Sequence, residues 1–229
     1  MKRVLLCRTD AVGDLILTLP VARSLKTVQP ELEITLLAAK YTAPLLAGEA
    51  YLDNVVAISN RSLENLNEVN ALARDLKRMN FDEAVFFYPR LSLALALYLA
   101  KIPIRIGTSR RAYSFLLNRR VKLHRKDSGK HELDLNYELV EGCYGNLKRL
   151  EPQITVTPDE QVNANRLLAQ VGIDEGEHYV LIHPLSHGSA PNWPVERYAE
   201  LASKLAGVGH KVVVTGSALE SSDIAGFLW

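Results

Sequence analysis

The sequence predicts an α/β fold built on a doubly wound parallel sheet. Short apolar runs alternate with longer helical patterns from the first residues onward. The runs are apolar continuously, as strands buried on both faces are, and no internal repeat or low-complexity tract interrupts the series. With 229 residues, 48% of them hydrophobic and 23% charged, the chain can bury a sizeable core, which excludes disordered and fibrous classes.

Residues 4–7, 34–38, 55–58 and 84–87 read as buried strands of a first half. Residues 14–28 read as the helix after the first strand. Residues 62–79 read as another, opening with Ser62 and Asn65 and carrying Leu63, Leu66, Val69, Leu72, Ala73 and Leu76 on one face. His131-Glu132 opens a helix to about residue 147; a place facing the interdomain cleft is one reading, and a surface helix start is the more economical one. A boundary is predicted at residues 151–157, where Pro152, Thr155, Thr157 and Pro158 end the periodic pattern. Beyond it come a helix at 159–171, a strand at 179–183, a helix at 195–206 and a strand at 210–215. Two strands do not complete a parallel layer, so the second domain reads as incomplete.

Cys7 and Cys143 are the only thiols, too few for a disulfide framework or a cysteine zinc site, and a reducing compartment fits best. The opening Met-Lys-Arg-Val-Leu-Leu-Cys starts like a secretion signal, but Arg8, Asp10 and Asp14 interrupt it, so a cytoplasmic location is expected. The longest apolar run, residues 91–100, is well short of the roughly 20 needed to span a bilayer.

The turn after the first strand holds Arg8-Thr-Asp-Ala-Val-Gly-Asp14. In an open parallel sheet such a turn lies at the carboxyl edge, where ligands bind. Gly13 permits close approach to the backbone, and Asp14 stands at a helix start, where the positive end of the dipole suits a proton-accepting carboxylate. A simpler reading makes Asp10 and Asp14 an Asx-turn and a helix cap.

Three stretches together carry a resemblance: residues 8–20 (Arg-Thr-Asp-Ala-Val-Gly-Asp-Leu-Ile-Leu-Thr-Leu-Pro), 183–194 (His-Pro-Leu-Ser-His-Gly-Ser-Ala-Pro-Asn-Trp-Pro) and 213–220 (Val-Val-Thr-Gly-Ser-Ala-Leu-Glu). In order and spacing they resemble the ADP-heptose:lipopolysaccharide heptosyltransferases, glycosyltransferase family 9. The resemblance implies a GT-B fold: a Rossmann-like acceptor-side domain at residues 1–155 and a partial Rossmann-like nucleotide-sugar domain at 156–229. It implies inverting transfer of a heptose or related sugar from a nucleotide sugar, with ADP-heptose as the donor the family points to, to the lipopolysaccharide inner core, with no cofactor and no metal. Asp14 is then the general base that deprotonates the acceptor hydroxyl. Ser186, Gly188 and Ser189 would contact the nucleotide diphosphate, and Gly216, Ser217 and Glu220 the nucleoside side. Gly13 with Arg110, Arg111, Arg119 and Arg120 would serve the acceptor.

Pro191 stands where relatives usually place Lys or Arg, two residues before Trp193-Pro194, and supplies neither charge nor backbone donor. The family's later Asp-Thr-Gly...His stretch has no counterpart here. These departures motivate a second reading, a truncated and inactive remnant that retains at most binding of the acceptor or an anionic glycolipid.

Residues 105–126 hold eight Lys and Arg and no Asp or Glu, leaving the rest of a chain of net charge +1 at −7. This asymmetry suggests an anionic partner, and the interleaved Tyr113, Phe115, Leu116 and Leu117 suggest an amphipathic segment at a membrane surface; the resemblance implies that the partner is the lipopolysaccharide inner core, presented at the cytoplasmic face of the inner membrane. A solvated basic face is the plainer alternative. A nucleic-acid binding module is a weaker reading, because no recognised motif accompanies the charge, and no nucleic-acid partner is expected. His183 and His187 have metal-ligand spacing only on a helix, which Pro184 opposes. Dinucleotide, phosphate-loop and nucleophile-elbow motifs are absent.

Overall fold

The computed structural model describes residues 1–59, 65–123, 128–186, 191–217, 220 and 224, and the chain divides into two compact units, Met1–Thr157 and Pro158–Trp229. In the first unit β1 (Arg3–Arg8), β2 (Glu33–Ala39), β3 (Asn54–Ile58), β4 (Glu83–Phe86), β5 (Ile104–Thr108) and β6 (Arg119–Val121) form one sheet. Every pairing is parallel and the order is β3-β2-β1-β4-β5-β6. This doubly wound α/β topology is the Rossmann order.

Alternation along the strands builds two cores. Val4, Leu6, Ile34, Leu36, Val85 and Ile106 face α1 (Val12–Ile16), α2 (Leu19–Val28) and α5 (Glu132–Tyr144). Leu5, Cys7, Leu37, Ala84 and Phe86 face α3 (Leu66–Met79) and α4 (Leu91–Leu99). The connections change sides between β1 and β4, so the carboxyl ends of these neighbours flank the crevice in which this topology binds ligands.

The helix expected at 14–28 is two helices. Pro20 lacks an N–H and its ring would collide with the carbonyl of Ile16, so α1 stops there and α2 restarts with Pro20 in its first turn. α3 begins at a capping box in which Asn65 accepts from Asn67 and Glu68 amides; the predicted start at Ser62 lies outside the described residues. α4 and β5 sit where no helical or strand period is legible: α4 is apolar on nearly every side. Residues 145–157 have no helix or strand, yet they are fastened to the first unit. Ser24 Oγ donates to the Lys148 carbonyl at 2.6 Å, and Glu49 Oε1 accepts from the Thr155 amide at 2.7 Å.

In the second unit α6 (Pro158–Gln170) precedes β7 (Tyr179–Ile182), α7 (Val195–Gly207) and β8 (Lys211–Val214). β7 and β8 pair in parallel, and α7 covers one face through Tyr198, Ala199, Ala202 and Leu205. Tyr179 and Leu181 are exposed.

Candidate active site

β1 ends in Arg8, which delivers a guanidinium to the carboxyl edge of the sheet. The side chain is only 2% exposed, and burying it would be prohibitive without opposite charges. It has three. Nε lies 2.7 Å from Asp10 Oδ1, Nη2 lies 2.6 Å from Asp14 Oδ1, and Nη1 lies 3.0 Å from Glu132 Oε1. Nη1 also donates to Asn136 Oδ1 at 3.4 Å. Glu132 and Asn136 stand one turn apart on α5, so one helix face meets the β1–α1 loop. Glu132, read from sequence as a surface helix start, is therefore part of this cluster, and the cap of α5 is His131, whose Nδ1 accepts from Leu133 N.

Asp14 lies in the first turn of α1 with its side chain 37% exposed, so its carboxylate is gripped on one oxygen and still open to solvent. The cap reading fails, because the N-cap of α1 is Ala11 and no side chain caps that helix. Asp10 is set deeper. Burial pushes its carboxyl from 3.8 up to about 6, against the pull of Arg8, and the negative charge of Asp14 adds to the rise. Tyr41, an exposed side chain, donates its hydroxyl to the Asp10 carbonyl at 2.7 Å.

The shift at Asp10 makes a pH prediction. The folded state binds this proton more tightly than the unfolded state does. Its contribution to stability is therefore fully present below pH 3.8 and lost as pH rises through about 6. Asp10→Asn is expected to remove that component. Across denaturant titrations from about pH 4 to about pH 7, the wild-type midpoint should fall relative to that of the variant.

In the second unit His183 Nδ1 and Thr215 Oγ1 are 3.2 Å apart and link the carboxyl ends of β7 and β8. Ser186 follows in the same loop, whereas His187, Gly188 and Ser189 lie outside the described residues. Pro191 is exposed, and the Trp193 ring sits 5.7 Å from that of Tyr198. Glu220 is only 6% exposed, and its Oε2 accepts from the Ser217 amide at 2.6 Å. Its carboxylate is folded back on its own turn. A Cβ on Gly216 would come within 3.1 Å of Ile224 Cδ1, so packing restricts that position.

The sequence profile of glycosyltransferase family 9 (heptosyltransferase) matches residues 69–227. The chain belongs to this family. One relative, the lipopolysaccharide core heptosyltransferase OpsX of Haemophilus influenzae, is 27% identical over 211 residues, covering 88% of this chain and 56% of the relative. A family 9 glycosyltransferase from Veillonella parvula superposes with a TM-score of 0.86 at 19% identity, over 99% of this chain and 66% of that one. The ADP-heptose lipopolysaccharide heptosyltransferase II of E. coli gives 0.77 at 23% identity, over 100% and 69%. The α/β fold is thus that of the GT-B heptosyltransferases. The chain spans 60% of the length of the first curated relatives it matches.

Among the described residues the arginines of the basic stretch are spread over strands and a loop. Arg119 pairs in register with Ile106 and Arg120 with Gly107, so the two arginines leave the sheet on opposite faces. They stand on a three-residue edge strand, where charge also discourages edge-to-edge pairing. Arg110 and Arg111 lie in the exposed loop beyond β5. The expected amphipathic segment is corrected too: Leu116 and Leu117 are buried, Tyr113 packs against the same core, and only Phe115, at 73%, is strongly exposed. Arg125 and Lys126 lie outside the described residues. Among the described residues no group of three or more His, Cys, Asp or Glu could hold a metal, and no helix is long and apolar enough to cross a membrane.

Gly13 is instructive for the opposite reason. It is helical, its φ is not in the left-handed region, and an added Cβ would meet nothing within 4 Å. The fold does not require glycine there. Gly13→Ala is expected to leave stability unchanged or raise it by up to about 1 kcal/mol, while raising the KM of a ligand that approaches this backbone. Denaturant unfolding and steady-state kinetics check the two halves.

Proposed function

We propose that this family 9 chain is a glycosyltransferase that moves a heptose from a nucleotide sugar, ADP-heptose, to the inner core of lipopolysaccharide. One observation carries the reading: Asp14, at the carboxyl edge beside the β1–β4 switch point, is held by Arg8 through one oxygen and remains partly solvent-exposed. A held, accessible carboxylate suits general-base catalysis. The acceptor hydroxyl gives its proton to Asp14, its oxygen forms the new bond to the anomeric carbon, and the nucleoside diphosphate leaves with the electron pair of the broken bond. Ser186, Gly188, Ser189, Gly216 and Ser217 are the donor-side candidates. Glu220 shapes the turn through Ser217 and is assigned to the ribose side. Gly13, Arg110 and Arg111 are assigned to the phosphorylated acceptor, and the exposed Phe115 is assigned as a contact to the cytoplasmic face of the inner membrane. Arg119 and Arg120 belong to this set only as a diffuse cationic edge. The reading needs neither cofactor nor metal.

Pro191 favours a second reading, an inactive protein that binds acceptor glycolipid, because proline offers the departing diphosphate neither charge nor N–H. One experiment separates them. The protein is incubated with ADP-heptose and heptose-deficient lipopolysaccharide, and ADP release and the mass of the glycolipid are followed. Release of ADP with a one-heptose mass increase supports the enzyme; acceptor binding without either supports the remnant. Neither binding nor transfer by folded protein rejects the enzyme and leaves a remnant that has lost acceptor binding as well.

A further inference from the structure

Asn136 is fully buried on α5, and it reaches Asp14 by two routes. Its Oδ1 accepts from Arg8 Nη1 at 3.4 Å, and Arg8 Nη2 lies 2.6 Å from Asp14 Oδ1. Its Nδ2 donates to the Leu17 carbonyl at 3.0 Å and to Thr18 Oγ1 at 3.4 Å. Thr18 Oγ1 in turn donates to the carbonyl of Asp14 itself at 2.9 Å. One side-chain amide thus holds both the carboxylate and the backbone of the same residue.

Such bracing is needed here. α1 has five residues, no side-chain cap and a proline-enforced end, and one helical turn does not hold its own geometry in water. The precise placement of Asp14 must come from elsewhere. The acceptor of the Asn136 amide is occupied by Arg8, and its donors are turned toward Leu17 and Thr18, so the buried amide is spent on orientation.

We propose that Asn136 is a positioning residue for Asp14, fixing the carboxylate through Arg8 and the backbone through Leu17 and Thr18. The inference rests on Asp14 being the base. A misplacement of about 1 Å at such a residue lowers turnover on the order of 100-fold while leaving distant donor contacts intact.

Three variants test it: Asn136→Leu, which removes the amide at similar volume, Thr18→Val, which removes only the hydroxyl, and Thr18→Ser, which keeps it. The 13Cγ resonance of Asp14 and the hydrogen exchange of α1 amides are read by NMR, beside kcat and the donor KM. Asn136→Leu and Thr18→Val should shift the resonance, speed the exchange and lower kcat at least about tenfold with the donor KM within about twofold, and Thr18→Ser should behave as wild type. If Asn136→Leu does not fold, the Thr18 pair decides alone. An unmoved Asp14 resonance in folded Thr18→Val, or equal losses in Thr18→Ser and Thr18→Val, overturns the proposal. Absence of transfer in the wild type refutes the glycosyltransferase reading instead, and the NMR measurements then still decide whether Asn136 places Asp14.

Discussion

Asp14→Asn is expected to reduce glycosyl transfer by about 10²- to 10⁴-fold, the range a positioned general base contributes. Asparagine keeps the size and the oxygen that faces Arg8, but it cannot take the acceptor proton. On the proposed mechanism the loss should fall on kcat with the donor KM nearly unchanged, because the carboxylate is assigned to the acceptor hydroxyl and not to the donor. Folding should survive, because Arg8 retains Asp10, Glu132 and Asn136 as partners and Asp14 is partly exposed. Transfer assays and circular dichroism on the same preparation check both statements. Transfer at the wild-type rate would move the base role away from Asp14.

Arg8→Leu carries the largest expected cost in stability. It removes the one guanidinium that Asp10, Asp14 and Glu132 share and leaves three carboxylates facing one another at the edge of the core. Removing one partner from a buried ion pair costs about 3–5 kcal/mol, and the partial exposure of Asp14 and Glu132 places this case near the lower end. The direction with pH is distinctive. Acidification protonates the stranded carboxylates and relieves their repulsion, so the deficit relative to wild type should shrink as pH falls. Chemical denaturation of both proteins at neutral and mildly acidic pH checks this. An equal deficit at both would mean that the lost packing of the arginine stem dominates over its charge.

The same cluster shows where reading along the chain stops. Arg8 and Glu132 are 124 residues apart, and neither has a local pattern that points to the other. A glutamate after a histidine cap is ordinary helix-start chemistry, so the local pattern favours a surface helix start over a cleft-facing one. A faint signal existed: Glu132 and Asn136 are four apart and share one helix face. It gains meaning only when β1 lies beside α5. The split of residues 14–28 was more accessible, since Pro20 sits well inside the proposed helix. The basic stretch misled differently. Its interleaved apolar residues suggest an amphipathic segment beside the plainer solvated face, yet Leu116 and Leu117 are buried, and strand alternation sends Arg119 and Arg120 to opposite faces.

By itself the sequence determined the doubly wound parallel sheet, the family and the loop that carries Asp14. Continuous apolar strands, proline and glycine punctuation and short motifs are local, and local chemistry is encoded in neighbouring residues. Only the tertiary structure decided that a buried arginine would bind three carboxylates, that Asp10 rather than Asp14 would be the deeper one, and that Asn136 would brace the single turn beneath the candidate base. The physical reason is that burial and charge pairing are set by which elements lie side by side, and those distances are written nowhere along the chain.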